Sequence, residues 1–252
     1  MRLGDAEVSR IGLGTNRLTN TPRNVEFIRA AVAAGIDVID TAHLYTGGES
    51  ERTIGEALEA KPAGKVVETK GGYRPGEGRP DVLHNQIEES LRLLRTETID
   101  LYYLHRVDPH TPLEDSLRVI AEYRDAGRIR HVGLSQVNVE QIERARRIVP
   151  ITAVQSHYNL AERAWDPVVD YCTREGIVFV PYFPLRGDHP ALAGTARRHG
   201  VSPSQVALAW LLHGSPLMLP IPGTLSLEHV RENVAALGIE LSAEEVAALS
   251  SQ

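Results

Sequence analysis

Short runs of β-branched and apolar residues alternate along the chain with longer segments whose apolar positions recur every three or four residues. The first pattern is that of buried strands, the second that of amphipathic helices. Strands are predicted at residues 9–14, 36–40, 65–70, 99–104, 129–134, 151–156, 177–182 and 217–221. Helices are predicted between and after them, at Asn24–Ala34, Glu49–Ala60, Asp81–Arg95, Leu113–Ala126, Val139–Ile148, Asp166–Arg174, Ser202–Leu212 and Leu227–Leu237. Strict alternation implies a parallel sheet with crossover helices. Eight repeats close such a sheet into an α/β fold of the (β/α)8 TIM-barrel type. Asp81 and Ser202 stand where N-caps belong, and Gly35, Gly127 and Gly176 follow helix ends, where a positive φ is wanted.

No linker or low-complexity run divides the 252 residues, so a single domain over 1–252 is expected. The net charge of -6 offers no basic footprint for nucleic acid. No apolar run reaches bilayer length, since Val206–Leu212 is followed by His213, Gly214 and Pro216, and the N-terminus does not resemble a secretory signal. Cys172 is the only cysteine and falls on a helix, so it reads as a small buried hydrophobe. A cytoplasmic monomer, free of membrane and nucleic acid, is the expectation.

The candidate chemistry gathers at three successive strand ends. Asp40 and Tyr45 follow the second strand, Lys70 the third and His105 the fourth, and the C-terminal end of barrel strands is where catalysis happens. Singly, each has an ordinary explanation: a loop carboxylate, a packed ring, a solvated strand end, a satisfied core histidine. Together they suit the protonation of a carbonyl oxygen. A phenol with a pKa near about 10 needs a nearby cation to favour its anion, which Lys70 would supply. Asp40 would hold Lys70, and His105 would donate to the oxygen that gains charge. The loop Gly71–Pro80 after the third strand lies over this face. Two other signals fail: Gly12-Leu13-Gly14 lacks the third glycine of a dinucleotide fingerprint, and the ten histidines form no metal-ligating cluster, so no metal is expected.

Asp40-Thr41-Ala42-His43-Leu44-Tyr45, the strand ending in Lys70, and Asp100-Leu101-Tyr102-Tyr103-Leu104-His105 resemble the tetrad segments of aldo-keto reductases. Further matches run through Gly133-Leu134-Ser135, Gln155, Tyr158-Asn159, Pro181-Tyr182-Phe183-Pro184-Leu185 and Ile221-Pro222-Gly223-Thr224. The resemblance implies reduction of a small aldehyde or ketone, with Asp40, Tyr45, Lys70 and His105 as catalytic residues. It further implies Ser135, Gln136 and Gln155 against a nicotinamide carboxamide, Tyr182 stacked on its ring, and Thr15 and Leu185 beside the cofactor. Gly223, Thr224, Ser226 and His229 would meet the adenosine end and its phosphates, and Glu232 and Asn233 the adenine.

Departures from the family pattern leave the cofactor open between NADPH, the expected one, and NADH. Gln136 replaces the usual asparagine, Gly223 a common lysine, and His229 a common arginine. The chain stops soon after the eighth helix, so an open pocket is expected, lined by Asn16, Tyr73, Arg74, Arg106 and His110. A nicotinamide-binding regulatory or redox-sensing barrel is the second reading, and a barrel of unrelated chemistry the third.

Overall fold

The computed structural model describes residues 1–59, 62–187 and 189–251. The expected end of the second helix, Ala60, and the last residue, Gln252, lie outside the described residues. Seven parallel strands form one sheet in chain order: β3 (Leu13–Gly14), β4 (Val38–Asp40), β5 (Val66–Gly71), β6 (Ile99–Leu104), β7 (Ile129–Ser135), β8 (Ile151–His157) and β9 (Val178–Tyr182). The expected eighth strand closes the ring without a full ladder. On one side, Phe179 N donates to Leu217 O and Leu219 N to Phe179 O, both at 2.9 Å, and Ile221 N donates to Pro181 O at 3.3 Å. On the other, the carbonyls of Pro220 and Pro222 accept from Gly12 and Gly14. Prolines have no N–H to return, so neither Pro220 nor Pro222 donates to β3, and the pairing there is reduced to an isolated parallel bridge between Gly14 and Gly223. The first strand is shorter than the expected 9–14, pairing with β4 only through Leu13 and Gly14. The architecture is a (β/α)8 barrel.

The wall helices are α1 (Pro22–Ala33), α2 (Glu49–Ala57), α3 (Pro80–Leu93), α4 (Leu113–Asp125), α5 (Val139–Arg146) and α6 (Asp166–Glu175). After β9 come α7 (Pro190–His199), α8 (Pro203–Gly214), α9 (Leu227–Ala235) and α10 (Ala243–Ser250). The hydrophobic pattern missed α7 and α10, although Ser242 and Glu245 form a capping box and Pro190 opens α7. Ser202 caps α8 as expected, with Gln205 returning the bond. Asp81 does not cap α3. Arg79 takes that position, Pro80 fills the first turn, and Asp81 pairs with Arg79 instead. Gly35, Gly127 and Gly176 all have positive φ, the conformation for which helix ends use glycine.

Two apolar layers result from the alternation of side chains along each strand. The outer one, between sheet and helices, includes Ile39, Val67, Tyr102, Val132 and Phe179. The inner one fills the barrel with Val38, Val66, Leu101, Tyr103, Ala153, Val178, Val180, Leu219 and Ile221. A hairpin that the pattern did not reveal, β1 (Arg2–Leu3) and β2 (Ala6–Glu7), plugs the N-terminal mouth by adding Leu3 and Val8 to that cluster. Above this plug, the interior turns polar.

Candidate active site

Strand register determines which side chains share the upper interior. Asp40 pairs with Glu68, Lys70 with Tyr103, and Ser135 with Gln155 across adjacent parallel strands. Residues two apart on a strand share a face, so Glu68 and Lys70 point the same way as Asp40. The Lys70 ammonium is wholly buried, 2.7 Å from Asp40 Oδ2, and donates to the Thr41 carbonyl at 2.6 Å. Gln155 Nε2 donates to the same carboxylate oxygen at 2.9 Å.

Tyr45 arrives from a turn rather than a strand. Directly after β4, a 3-10 turn over Tyr45–Gly48 leads into α2 and brings the phenol ring over the pair, with Lys70 Nζ 5.1 Å from the ring centroid. His105, at the end of β6, meets Tyr45 edge-on at 6.2 Å and Tyr73 at 4.8 Å between ring centroids. Thr15 Oγ1 donates to the Asp40 carbonyl at 2.7 Å, which ties the loop after β3 to the same centre.

Burial sets the charge states. Burial raises the Tyr45 phenol above its ordinary value, and Lys70 opposes this without overcoming it. The expected net lowering by Lys70 therefore does not occur in the free enzyme, because a desolvated phenolate loses more than one cation returns. Desolvation would lower Lys70, but Asp40 and then Tyr45 outweigh it and raise the ammonium. His105 is pushed down to about 2 by burial, with Lys70 and Arg106 adding to the shift. Its imidazole is neutral at physiological pH, with Nδ1 buried and unpartnered.

These groups open into a cleft of about 690 Å³ lined by Tyr45, Tyr73, His105, Arg106, Tyr182 and Phe183 among others. Of the residues expected to line it, Asn16, Tyr73 and Arg106 do so, whereas Arg74 pairs with Glu77 at the surface and His110 sits in the loop shaped by Asp108. That aspartate accepts from the amides of Gly76, Gly78 and His110 and from Thr111 Oγ1, which fastens the loop after β5 to the loop after β6. The cleft also takes in Leu44, Arg17 and Arg186, which the sequence reading did not single out. Arg17 and Arg186 follow β3 and β9, and their position past strand ends was the available signal.

At the far side Tyr182 packs one ring face on His157, centroids 5.4 Å apart and nearly parallel, while its hydroxyl accepts from Gln136 Nε2 at 2.8 Å. Gln136 reaches it from a backbone with φ of 57°, a conformation better suited to asparagine. Ser135 Oγ accepts from Arg106 at 3.0 Å. Gly14 and Gly223 leave the cleft floor as bare backbone, since a Cβ on Gly14 would lie 2.8 Å from the Ile221 carbonyl oxygen. Beyond it, Thr224 contacts His229, and Ser226 caps α9 by accepting from the His229 amide. Asn233 is buried on the same helix, and the Glu232 carbonyl is held by Gln205. Leu185 is 38% exposed on the loop after β9 and does not line the cleft. The structure thus unites Asp40, Tyr45, His105, Thr15, Gln155, Tyr182 and Gly223 in one cleft with Lys70 buried beneath it, places Ser135 and Gln136 at its edge, leaves Leu185 on the loop after β9, and sets Thr224, Ser226, His229, Glu232 and Asn233 at the start of α9 and along it.

Fold and site define a barrel with a buried lysine–aspartate pair beneath a tyrosine and a neutral histidine. The family model described as the aldo/keto reductase family matches residues 10–189 and 188–252, and the chain belongs to that family. An uncharacterized oxidoreductase of Schizosaccharomyces pombe is 38% identical, over 100% of this chain and 89% of its own length. Pyridoxine 4-dehydrogenase of Escherichia coli is 37% identical, over 98% and 96%. Among solved structures, an aldo/keto reductase of Klebsiella pneumoniae in complex with NADP and acetate superposes with a TM-score of 0.88 at 30% identity, covering 99% of this chain and 93% of that one.

Proposed function

We propose that the protein reduces a small aldehyde or ketone to the alcohol, using NADPH, or NADH as the alternative donor. One observation carries the reading: the Lys70–Asp40 pair at 2.7 Å lies directly beneath the Tyr45 ring, which faces the cleft beside His105. Bound cofactor would supply the hydride to the carbonyl carbon.

The chain's own residues handle the proton. Tyr45, kept protonated at neutral pH by its burial, donates from its hydroxyl to the carbonyl oxygen. Lys70 then stabilises the phenolate left behind, and Asp40 keeps the ammonium charged and in place. His105, neutral at working pH, orients the same oxygen by donating a hydrogen bond. Ser135, Gln136 and Gln155 suit a carboxamide, the cleft face of Tyr182 suits a flat ring, and the bare floor at Gly14 and Gly223 admits a ligand in close contact. Thr224, Ser226 and His229 at the N-terminus of α9 suit phosphate. Complexes named for NADP among the relatives support this assignment.

The same proposal takes the protein to be a cytoplasmic monomer, in keeping with Cys172, whose thiol burial pushes up to about 12 and so keeps unreactive. The test is titration with NADPH and NADH, followed by tryptophan fluorescence, together with turnover on a panel of aldehydes and ketones. Tyr45→Phe should lower kcat by about 10²–10⁴-fold while nucleotide affinity is retained. Undiminished turnover in that variant would remove Tyr45 from the role.

A further inference from the structure

Glu68 stands beside this machinery without a part in it so far. It lies on β5 two residues before Lys70, directly opposite Asp40, and none of its surface reaches solvent. Tyr103 on β6 donates its hydroxyl to Glu68 Oε2 at 2.9 Å, while Oε1 is buried and has no donor. The cross-strand pairing sets the carboxyl beside that of Asp40, and burial and then Asp40 raise it. The groups facing it are therefore Asp40 from β4, Lys70 from its own strand and Tyr103 from β6.

Charge counting constrains this cluster. Two carboxyl groups and one ammonium share an interior sealed by Leu101, Val66 and Val38. If both carboxyls were ionised, one negative charge would be buried without a partner, which is strongly unfavourable, and two adjacent carboxylates relieve this by retaining a proton. Geometry indicates which one keeps it. Asp40 already receives two donors on Oδ2, the Lys70 ammonium and the Gln155 amide. Glu68 receives a single neutral donor on one oxygen, and its other oxygen needs a proton to make any bond to Asp40. Burial, and then Asp40 itself, push the Glu68 carboxyl well above the usual carboxylate range.

We propose that Glu68 is a positioning residue: a carboxylic acid that donates its Oε1 proton to Asp40 and so fixes that carboxylate between Lys70 and Gln155. Asp40 then has three donors, two from β5 and one from β8. Its setting governs both the ammonium beneath Tyr45 and the orientation of the Gln155 amide, whose oxygen is left to face the cleft. The inference rests on the reductase reading for its kinetic consequences, but not for the protonation itself.

The test compares the wild type with Glu68→Gln and Glu68→Met. Infrared difference spectra at neutral pH should show the C=O stretch of a protonated carboxylic acid that disappears in Glu68→Gln. This measurement needs no turnover, so it separates a failure of this inference from a failure of the reductase assignment. In carbonyl reduction, Glu68→Gln, whose amide can donate in place of the acid, should keep kcat and the KM for NADPH within about threefold, with an unmoved pH profile. Glu68→Met keeps the volume but removes the donor. It should lower kcat about ten- to a hundredfold, raise the KM for NADPH through Gln155, and displace the pH profile of alcohol oxidation. Absence of the acid band, or a displaced pH profile in Glu68→Gln, would mean that Glu68 is an anion and overturn the proposal. Wild-type kinetics in a folded Glu68→Met would reduce Glu68 to a space filler. Should Glu68→Met not fold, the infrared band and the Glu68→Gln profile still decide.

Discussion

Replacing Glu51 with glutamine should remove a pH-dependent weakness from the fold. Glu51 lies on α2, fully buried behind β5, where Thr69 Oγ1 donates to Oε1 at 2.6 Å and Oε2 has no partner. Burial raises its carboxyl to about 7 from an ordinary 4.5, against the opposing bond of Thr69. Between these two values the native state holds a proton that the unfolded chain has lost, so stability falls as pH rises and levels off above 7. The full shift corresponds to about 3 kcal/mol, of which about 2.5 kcal/mol is lost between pH 5 and pH 8. Glutamine does not titrate. The stability difference between Glu51→Gln and the wild type should therefore move by about 2.5 kcal/mol in the variant's favour over that range. Titration of every other group is common to both proteins and cancels, as does any fixed offset from the substitution. Urea unfolding followed by the fluorescence of Trp165 and Trp210 reads this as a midpoint difference that grows by about 1 M from pH 5 to pH 8. Parallel midpoint curves across that range would refute the reasoning and mean that Glu51 is ionised in the fold, with compensation from a group such as His43, whose Nδ1 lies 4.0 Å away.

Lys70→Met should destabilise the protein by about 3–5 kcal/mol, since it strands a buried Asp40, and adding Asp40→Asn should recover part of that loss. Additive effects in this double-mutant cycle, measured by chemical denaturation, would contradict the pairing. With its imidazole at about 2, His105 should leave kcat/KM for carbonyl reduction without a histidine step between pH 5 and pH 8. A step near pH 6.5 that vanishes in His105→Gln would show that the ring is solvated and titrates normally.

The four candidate residues were legible in the sequence because strand ends can be located from hydrophobic runs, and a barrel delivers consecutive strand ends to one mouth. The polar ends of three consecutive strands therefore had to meet, whatever the details of packing. The same logic located the loops after β5 and β6, and the glycines at helix ends needed only local backbone geometry. Lys70 was assigned to Asp40 on charge alone, and the 2.7 Å contact agrees.

What lay outside the sequence was whatever depended on register, desolvation or proline. Register brings Glu68 level with Asp40, and a one-residue slip would have turned it outward among the helices. Desolvation is a property of the assembled interior, so the sequence could name Lys70 as the cation for Tyr45 but not foresee that burial would outweigh it. Pro220 and Pro222 were visible in the chain, yet only their facing β3 made them the reason that the pairing there thins to an isolated bridge. The type and order of elements follow from periodicity, which is local. Charge states and hydrogen-bond partners follow from which side chains are forced together out of water, and only the folded barrel decides that.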